Sequence, residues 1–375
     1  MNTKAAVPTD DAPDVLSEVH GQVGFITLNR PKALNALSLS MIRSLTHCLL
    51  AWRDDPAVAA VAIRGSSKAG PFGAFCAGGD IRFFHQAALA GNAGLEDFFT
   101  EEYALNHLIH RYPKPYIAFM DGIVMGGGMG ISQGAKIRIV TERTKMAMPE
   151  THIGLFPDVG GGYFLSRCPG RSGEWLALTG EMIGAGDAVE FGLADTCFAV
   201  AQLPSAWHAL ASTDFGRAGA IDQWLAMFSI ASPDYSTEAA GLINHYFSLS
   251  SVSDIVHALE ADGSTWAQHT AATLRRRSPL MLHVVLDQIR RARDMTLADD
   301  LRMERNMVRH CFHPYHLERS ASQSETVEGI RALAVDKDHA PCWNPARIED
   351  VTTSMVLPFF SSPWTPQTHP LRELI

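Results

Sequence analysis

The stretch that decides the fold is residues 115–140, which read PYIAFMDGIVMGGGMGISQGAKIRIV. Its first residues, Pro115 to Met120, are almost all apolar, which predicts a buried strand. The glycine triplet 126–128 then leads into a short helical stretch, and a second strand is predicted over residues 137–140. A strand, a glycine loop, a helix and another strand in succession are typical of a stacked α/β core.

The same order of elements occurs earlier in the chain. Strands are predicted over residues 24–29 and 58–63, with a helix beginning near Ser38 between them. A glycine-interrupted loop, residues 70–80, then leads into a helix from Ile81, whose cap is expected to be Asp80. Two such modules are expected to bring the backbone N–H groups at their strand ends to one cavity, where we predict the active site.

The chain has 375 residues, enough for one large domain and a smaller one. Beyond about Phe198 the pattern becomes helical, for example with Leu282, Val285, Leu286 and Ile289 on one helix face. We therefore predict a core domain over residues 18–198 and a mainly helical region over residues 199–375.

Composition and charge exclude several classes of protein. Lys and Arg number 31 against 40 Asp and Glu, a net charge of −9, which argues against general nucleic-acid binding. The six cysteines lack C-x-x-C spacing, so neither a zinc site nor a disulfide framework is indicated, and no metal is predicted. No apolar window is long enough to span a membrane. The N-terminal residues lack the features of a targeting peptide, which predicts a cytoplasmic location.

Two carboxylates stand eight positions apart in residues 148–163, which read MPETHIGLFPDVGGGY. Glu150 and Asp158 lie between apolar residues and a glycine run. A carboxylate in such surroundings can attack an electrophile, accept a proton or donate one, depending on how its environment sets its pKa. This segment is therefore the first candidate for catalysis.

The two glycine loops offer backbone donors. Reaction at a carbonyl needs two N–H groups directed at one developing oxyanion, and the candidates are Ala77 in FCAGGD and Gly127 in MGGGMG. Neither loop has the G-x-G-x-x-G placement of a dinucleotide-binding fold. Either loop alone is more simply explained as a tight turn, and their combination with Glu150 and Asp158 favours a catalytic role.

These motifs together resemble the crotonase (enoyl-CoA hydratase/isomerase) superfamily. The resemblance rests on NRPKALNAL at residues 29–37 and on both glycine loops. Residues 148–164 and the C-terminal segments 327–338 and 341–345 are similar to the 3-hydroxyisobutyryl-CoA hydrolase branch. The similarity extends from about His20 to Val351. Simple crotonases are shorter, which also favours this branch.

The resemblance implies an α/β fold, a spiral of ββα turns, with a helical C-terminal region that completes the active site. It implies an acyl-CoA substrate whose thioester oxygen is held by the amides of Ala77 and Gly127. Glu150 and Asp158 become the catalytic pair, and Glu102 becomes a substrate contact. An exposed helix carboxylate is the plain alternative for Glu102.

Coenzyme A is expected along the loop of Lys32, Ala33 and Leu34, where Lys32 would contact phosphate. A surface lysine in a turn is the plain alternative. No cofactor is expected, because coenzyme A is part of the substrate. Trimer-based assemblies are common in the superfamily, so a homo-oligomer is one expectation, and the sequence leaves the oligomeric state open.

One departure from the family pattern distinguishes the reactions. Hydratases carry a second catalytic glutamate two positions beyond the glycine triplet, where this chain has Gly130. Adding water across a double bond needs two acid/base groups, so the sequence favours thioester hydrolysis. The resemblance to the hydrolase branch implies 3-hydroxyisobutyryl-CoA as the substrate, in valine catabolism. The alternatives are an enoyl-CoA hydratase or isomerase of the same superfamily and a non-catalytic acyl-CoA-binding protein.

Overall fold

The structure, a computed structural model, describes residues 12–233 and 237–375. It confirms the α/β class. The strands are β1 (Val15–His20), β2 (Val23–Leu28), β3 (Ala60–Ser67), β4 (Gly70–Pro71), β5 (Tyr116–Met120), β6 (Ile123–Met125), β7 (Ile137–Thr141), β8 (Lys145–Ala147), β9 (Thr196–Phe198) and β10 (Ser229–Ile230).

Helices occur throughout the chain and predominate after β9. They are α1 (Leu39–Arg53), α2 (Ile81–Ala90), α3 (Gly94–His110), α4 (Gly127–Gln133), α5 (Gly161–Leu165), α6 (Ser172–Thr179), α7 (Ala185–Glu190), α8 (Leu203–Leu210), α9 (Ala220–Phe228), α10 (Thr237–Phe247), α11 (Val252–Ala261), α12 (Thr265–Arg275), α13 (Pro279–Ala292), α14 (Leu297–Phe312), α15 (Glu325–Ile330) and α16 (Thr353–Val356).

The chain divides into two compact units, each built from three separate segments. The described parts of residues 1–79, 105–146 and 182–235 form the first unit, and those of residues 80–104, 147–181 and 236–375 form the second. This division differs from the predicted boundary after residue 198. Helical periodicity marks a change in secondary structure, whereas a compact unit is defined by contacts between segments that are distant in sequence.

The first unit is built on the main sheet, in the order β1-β2-β3-β5-β7-β9-β10. The strands from β2 to β9 pair in parallel, and β1 and β10 are antiparallel to their neighbours. Parallel strands are buried on both faces, which explains the continuous apolar run of β5. Aromatic side chains of the sheet form one buried cluster with those of α8 and α9. It includes Phe25 and Phe119 of the sheet, Trp207 of α8 and Trp224 of α9.

The second unit is almost entirely helical. Helix α13 buries ten residues, including Leu282, Val285, Leu286 and Ile289 of the predicted apolar face. Its N-cap is Ser278, whose hydroxyl accepts from the Met281 N–H, and Pro279 is the first helical residue. The predicted cap Asp80 is confirmed in the same way, because its carboxylate accepts from the Phe83 N–H.

Across the described ranges, no helix combines the length and apolar character needed to cross a bilayer. Within the same residues, no group of three His, Cys, Asp or Glu side chains is placed to hold a metal ion.

Candidate active site

Three acidic residues form a buried cluster in the second unit, and all three were predicted from the sequence. Glu150 begins a 3-10 turn (Glu150–Ile153), Asp158 precedes α5, and Glu102 lies in α3. Their side chains are only 2–6% exposed. The charges of Asp158 and Glu150 both act on Glu102, so the fold brings these carboxylates together. The alternative of an exposed carboxylate at Glu102 is thereby excluded.

Burial sets the protonation of this cluster. It raises the pKa of Glu150 well above its ordinary value, and the charge of Asp158 raises it further. Burial also raises the pKa of Asp158, to about 7. The pKa of Glu102 is raised by burial first and then by the charges of its two neighbours. A carboxyl whose pKa lies near neutral pH, as that of Asp158 does, is suited to general acid and base catalysis.

Two carboxylate oxygens of the cluster have no hydrogen-bond partner among the described residues. They are Oε1 of Glu102 and Oε2 of Glu150, and both atoms are buried. Buried polar atoms are normally paired in folded proteins, so unpaired oxygens in one acidic cluster indicate groups that bind a substrate or a reacting water. This observation supports the predicted roles of both residues.

Tyr103, which lies next to Glu102 in α3, belongs to the site and was not predicted from the sequence. Its hydroxyl donates to Oδ2 of Asp158 at 2.9 Å, and its side chain is fully buried. This hydrogen bond lowers the pKa of Asp158 and so opposes the effect of burial. The only signal in the sequence was its position beside a candidate acid in an apolar helix.

Replacing Tyr103 with phenylalanine is expected to raise the pKa of Asp158 further, because the carboxylate loses its hydrogen bond. Glu102, Glu150, Glu304 and Cys311 also face Asp158 and remain in place. We expect the midpoint of the pH–rate profile to move upward and the rate at pH 7 to fall by roughly tenfold.

Tyr246→Phe is the matched control, since Tyr246 also donates to an aspartate, Asp262, in the same unit but outside the cluster. It should leave the profile unchanged. An unshifted midpoint in Tyr103→Phe would contradict the role assigned to this hydrogen bond.

The turn that carries Glu150 is packed against the C-terminal segment. Gly154 ends this turn with a left-handed backbone, φ +63°, and a Cβ at this position would lie 2.3 Å from the Glu325 carbonyl oxygen. The Thr326 hydroxyl donates to the Gly154 carbonyl at 2.7 Å. A Cβ on Gly329 would lie 2.4 Å from the Ile153 backbone. Residues 325–329, which overlap the segment 327–338 that resembles the hydrolase branch, therefore pack directly against the Glu150 turn.

Gly154→Ala is expected to destabilise the protein by at least about 3 kcal/mol, because backbone must move to admit the methyl group. Gly91→Ala is the matched control. Gly91 ends α2 with nearly the same φ, +61°, and no atom lies within 4 Å of a Cβ there. It should cost only the left-handed strain, about 1 kcal/mol. Urea unfolding measures both, and equal losses would show that the packing against Glu325 is unimportant.

The two glycine loops lie side by side in the first unit. Cys76 and Val124 form a parallel bridge, and a Cβ on Gly78 would lie 3.7 Å from the Gly127 nitrogen. Gly127 is the first residue of α4, where a backbone N–H has no acceptor within the helix. The predicted pairing of these loops is therefore observed, and Gly127 has a suitable N–H.

The structure argues against Ala77 as the second donor. Its N–H donates to the Leu34 carbonyl at 3.0 Å and is already used. In the described part of the chain, the amides of Gly78 and Gly79 donate to no other group. The sequence could not distinguish these positions, because the acceptor on Leu34 comes from a distant turn.

The predicted coenzyme A loop is a 3-10 turn (Pro31–Ala33) followed by Leu34 in the left-handed region, φ 50°. Lys32 and Leu34 are exposed. The side-chain amide of buried Asn35 holds this loop by donating to the carbonyls of Ser66, Ala74 and Phe75. Contact between the loop and coenzyme A stays a prediction.

The family model described as enoyl-CoA hydratase/isomerase matches residues 23–360. The chain belongs to this family. It is 38% identical to the mitochondrial 3-hydroxyisobutyryl-CoA hydrolase of Gallus gallus, a match that covers 95% of this chain and 91% of that protein. Identity is 40% with the Danio rerio protein of the same name, over 93% of this chain and 90% of the relative. The predicted resemblance to the hydrolase branch is confirmed.

Solved structures agree in fold but carry other names. A carnitinyl-CoA dehydratase from Mycobacterium thermoresistibile is 38% identical with a TM-score of 0.85, over 95% of this chain and 98% of that one. An enoyl-CoA hydratase from Rhodobacter sphaeroides 2.4.1 is 35% identical with a TM-score of 0.83, over 94% and 98%. The overall fold therefore does not distinguish hydrolases from hydratases. The distinction depends on the residues of the active site.

The predicted cytoplasmic location is wrong by this comparison. The curated relatives are named as mitochondrial proteins, including that of Homo sapiens, which is 39% identical over 92% of this chain and 87% of the relative. The prediction relied on the composition of residues 1–17, of which residues 1–11 lie outside the described ranges.

Proposed function

We propose that the protein hydrolyses the thioester of 3-hydroxyisobutyryl-CoA to 3-hydroxyisobutyrate and coenzyme A, a step of valine catabolism. The observation that carries the proposal is the buried cluster of Glu150, Asp158 and Glu102, together with glycine at position 130. The hydrolase names of the curated relatives support the same reaction.

The chemistry follows from the protonation of the cluster. Glu150 in its carboxylate form either attacks the thioester carbonyl, which forms an anhydride and expels the thiolate, or removes a proton from water that attacks the same carbon. Asp158 orients the 3-hydroxyl of the substrate or returns a proton to the departing sulfur. Glu102, whose Oε1 is unpaired, is proposed to accept a hydrogen bond from the substrate or to donate one to it.

Backbone amides are proposed to polarise the carbonyl. Gly127 is one donor, and Gly78 or Gly79 replaces Ala77 as the other, because the Ala77 N–H is engaged by Leu34. Two such donors directed at the developing oxyanion stabilise the transition state by several kcal/mol. No cofactor is needed for these steps, and Lys32, Ala33 and Leu34 are proposed to contact the coenzyme A portion of the substrate.

Hydration of an enoyl-CoA is the second candidate, because the solved structures from Mycobacterium thermoresistibile and Rhodobacter sphaeroides are named as a dehydratase and a hydratase. It would need a second acid near the glycine triplet, where Gly130 has no side chain. Loss of enoyl absorbance with crotonyl-CoA would support this candidate. A non-catalytic protein would bind acyl-CoA without releasing thiol.

Repeated turnover in heavy-oxygen water distinguishes the two routes open to Glu150. If an anhydride forms and water opens it at the glutamyl carbon, the heavy isotope enters the Glu150 side chain and is found by peptide mass spectrometry. General-base catalysis leaves Glu150 unlabelled. An unlabelled Glu150 after many turnovers would contradict this anhydride route.

A further inference from the structure

A second pair of buried carboxylates lies behind the turn that carries Asp158. Oε2 of Glu304, in α14, accepts from the Gly160 N–H at 2.7 Å, and its Oε1 accepts from the Gly162 N–H at 3.0 Å. Asp300, one helical turn earlier, accepts from the Tyr163 N–H at 2.8 Å. Three backbone donors of one turn are thus bound by two side chains of one helix.

A glutamine extends the same network. The Gln288 side-chain amide, in α13, donates to the Pro157 carbonyl at 2.7 Å and to Oε1 of Glu304 at 3.2 Å. Pro157, before Asp158, is therefore bound by α13, and Gly160 and Gly162, after it, are bound by α14. The Asp158 side chain accepts from the Tyr103 hydroxyl.

The pair is costly to bury, which argues that it does more than fill space. Glu304 and Asp300 are fully buried, and neither forms an ion pair with a cation among the described residues. Burial raises the pKa of Asp300 to about 7, and the pKa of Glu304 is raised by burial and by the charge of Asp300. By contrast, buried Glu174 in the same unit is paired with Arg171 and Arg293.

The turn itself needs such support. Val159 adopts a left-handed backbone, φ 56°, which is uncommon for a β-branched residue, and Gly160 follows at φ 86°. A carboxylate can accept from two N–H groups with its two oxygens, whereas a glutamine side chain would turn its NH₂ toward one of them. The acid at position 304 is therefore matched to this turn, and an amide is not.

We propose that Glu304 is a positioning residue that fixes the turn 158–163 and so directs the Asp158 carboxylate toward the substrate, with Asp300 and Gln288 in support. The proposal rests on the proposed thioester hydrolysis for its kinetic consequence. Its structural consequence, an ordered turn, does not depend on any activity.

Glu304→Gln tests the kinetic consequence. The kcat for thiol release from 3-hydroxyisobutyryl-CoA should fall by roughly 10- to 100-fold while KM changes less than about twofold, because the other proposed substrate contacts remain and only the alignment of Asp158 is lost. Asp299→Asn, an exposed carboxylate on the same helix, is the control and should leave both constants unchanged. A Glu304→Gln protein with normal kcat would overturn the proposal.

Hydrogen exchange in the full-length protein tests the structural consequence. The peptide that spans residues 157–165 should exchange faster in Glu304→Gln than in the wild type or Asp299→Asn. If Glu304→Gln does not fold, Gln288→Met, which removes the hydrogen bonds to Pro157 and Glu304, should give a smaller change of the same kind. Unchanged exchange in a folded variant would overturn the proposal, whereas a wild type that releases no thiol from any acyl-CoA would contradict only the proposed function.

Discussion

Replacing Glu150 with glutamine is expected to lower kcat for thiol release by about 10³-fold or more and to leave the protein folded. The amide can neither attack the thioester nor remove a proton from water, and general base or nucleophilic catalysis contributes effects of this size. The substitution keeps the shape of the side chain. It also removes an acid that is costly to bury, so the free energy of unfolding should not fall.

Steady-state thiol release, with substrate concentrations on both sides of KM, measures this effect. Glu181→Gln, a glutamate of the same unit outside the acidic cluster, serves as the control and should behave like the wild type. If Glu150→Gln retained more than about a tenth of the wild-type kcat, Glu150 would be neither nucleophile nor general base.

Asp158→Asn is expected to lower kcat by about 10²-fold and to stabilise the protein at pH 8 by about 1–2 kcal/mol. Because burial raises the pKa of Asp158 from 3.8 to about 7, the folded state holds this proton more tightly than the unfolded chain does. Wild-type stability should therefore fall as pH rises from about 4 to about 7, and remain lower above that range. Asparagine carries no such proton and removes this part of the pH dependence.

Urea unfolding at pH 5 and pH 8 measures this difference. The gap between Asp158→Asn and the wild type should be larger at pH 8, where the wild-type carboxylate is ionised. Asp287→Asn, a surface aspartate of α13 paired with Arg291, should give no such gap. Equal stabilities of Asp158→Asn and wild type at both pH values would contradict the raised pKa of Asp158.

Features set by neighbouring residues could be predicted from the sequence. The strand over residues 137–140 and the cap Asp80 depend on local periodicity and on side chains within three positions of a helix start. The choice of Glu150 and Asp158 as candidates also followed from their apolar and glycine-rich surroundings. These predictions needed no knowledge of distant contacts.

Features set by contacts between distant segments could not be predicted. The Ala77 N–H is engaged by Leu34, and Glu304 reaches Gly160 from 144 positions away. Tyr103, in α3, donates a hydrogen bond to Asp158, which lies 55 positions later in the chain. A single sequence does not show which segments meet, and the division into two interleaved units was missed for the same reason.

Glycine at position 130 is the feature from which we infer that hydrolysis is preferred over hydration. Relatives of this chain with solved structures are named as a dehydratase and a hydratase at overall identities close to those of the curated hydrolases. Overall similarity therefore does not decide between them. The cluster of Glu102, Glu150 and Asp158 places three acids in one unit, whereas position 130 carries no acidic side chain.

Parallel assays of two substrates test directly whether the protein hydrolyses a thioester or hydrates an enoyl-CoA. The wild-type protein is given 3-hydroxyisobutyryl-CoA and, in parallel, crotonyl-CoA, while free thiol and enoyl absorbance are recorded together. We predict rapid thiol release from the first substrate and no loss of enoyl absorbance with the second. Loss of enoyl absorbance from crotonyl-CoA, without thiol release from 3-hydroxyisobutyryl-CoA, would contradict the proposed thioester hydrolysis.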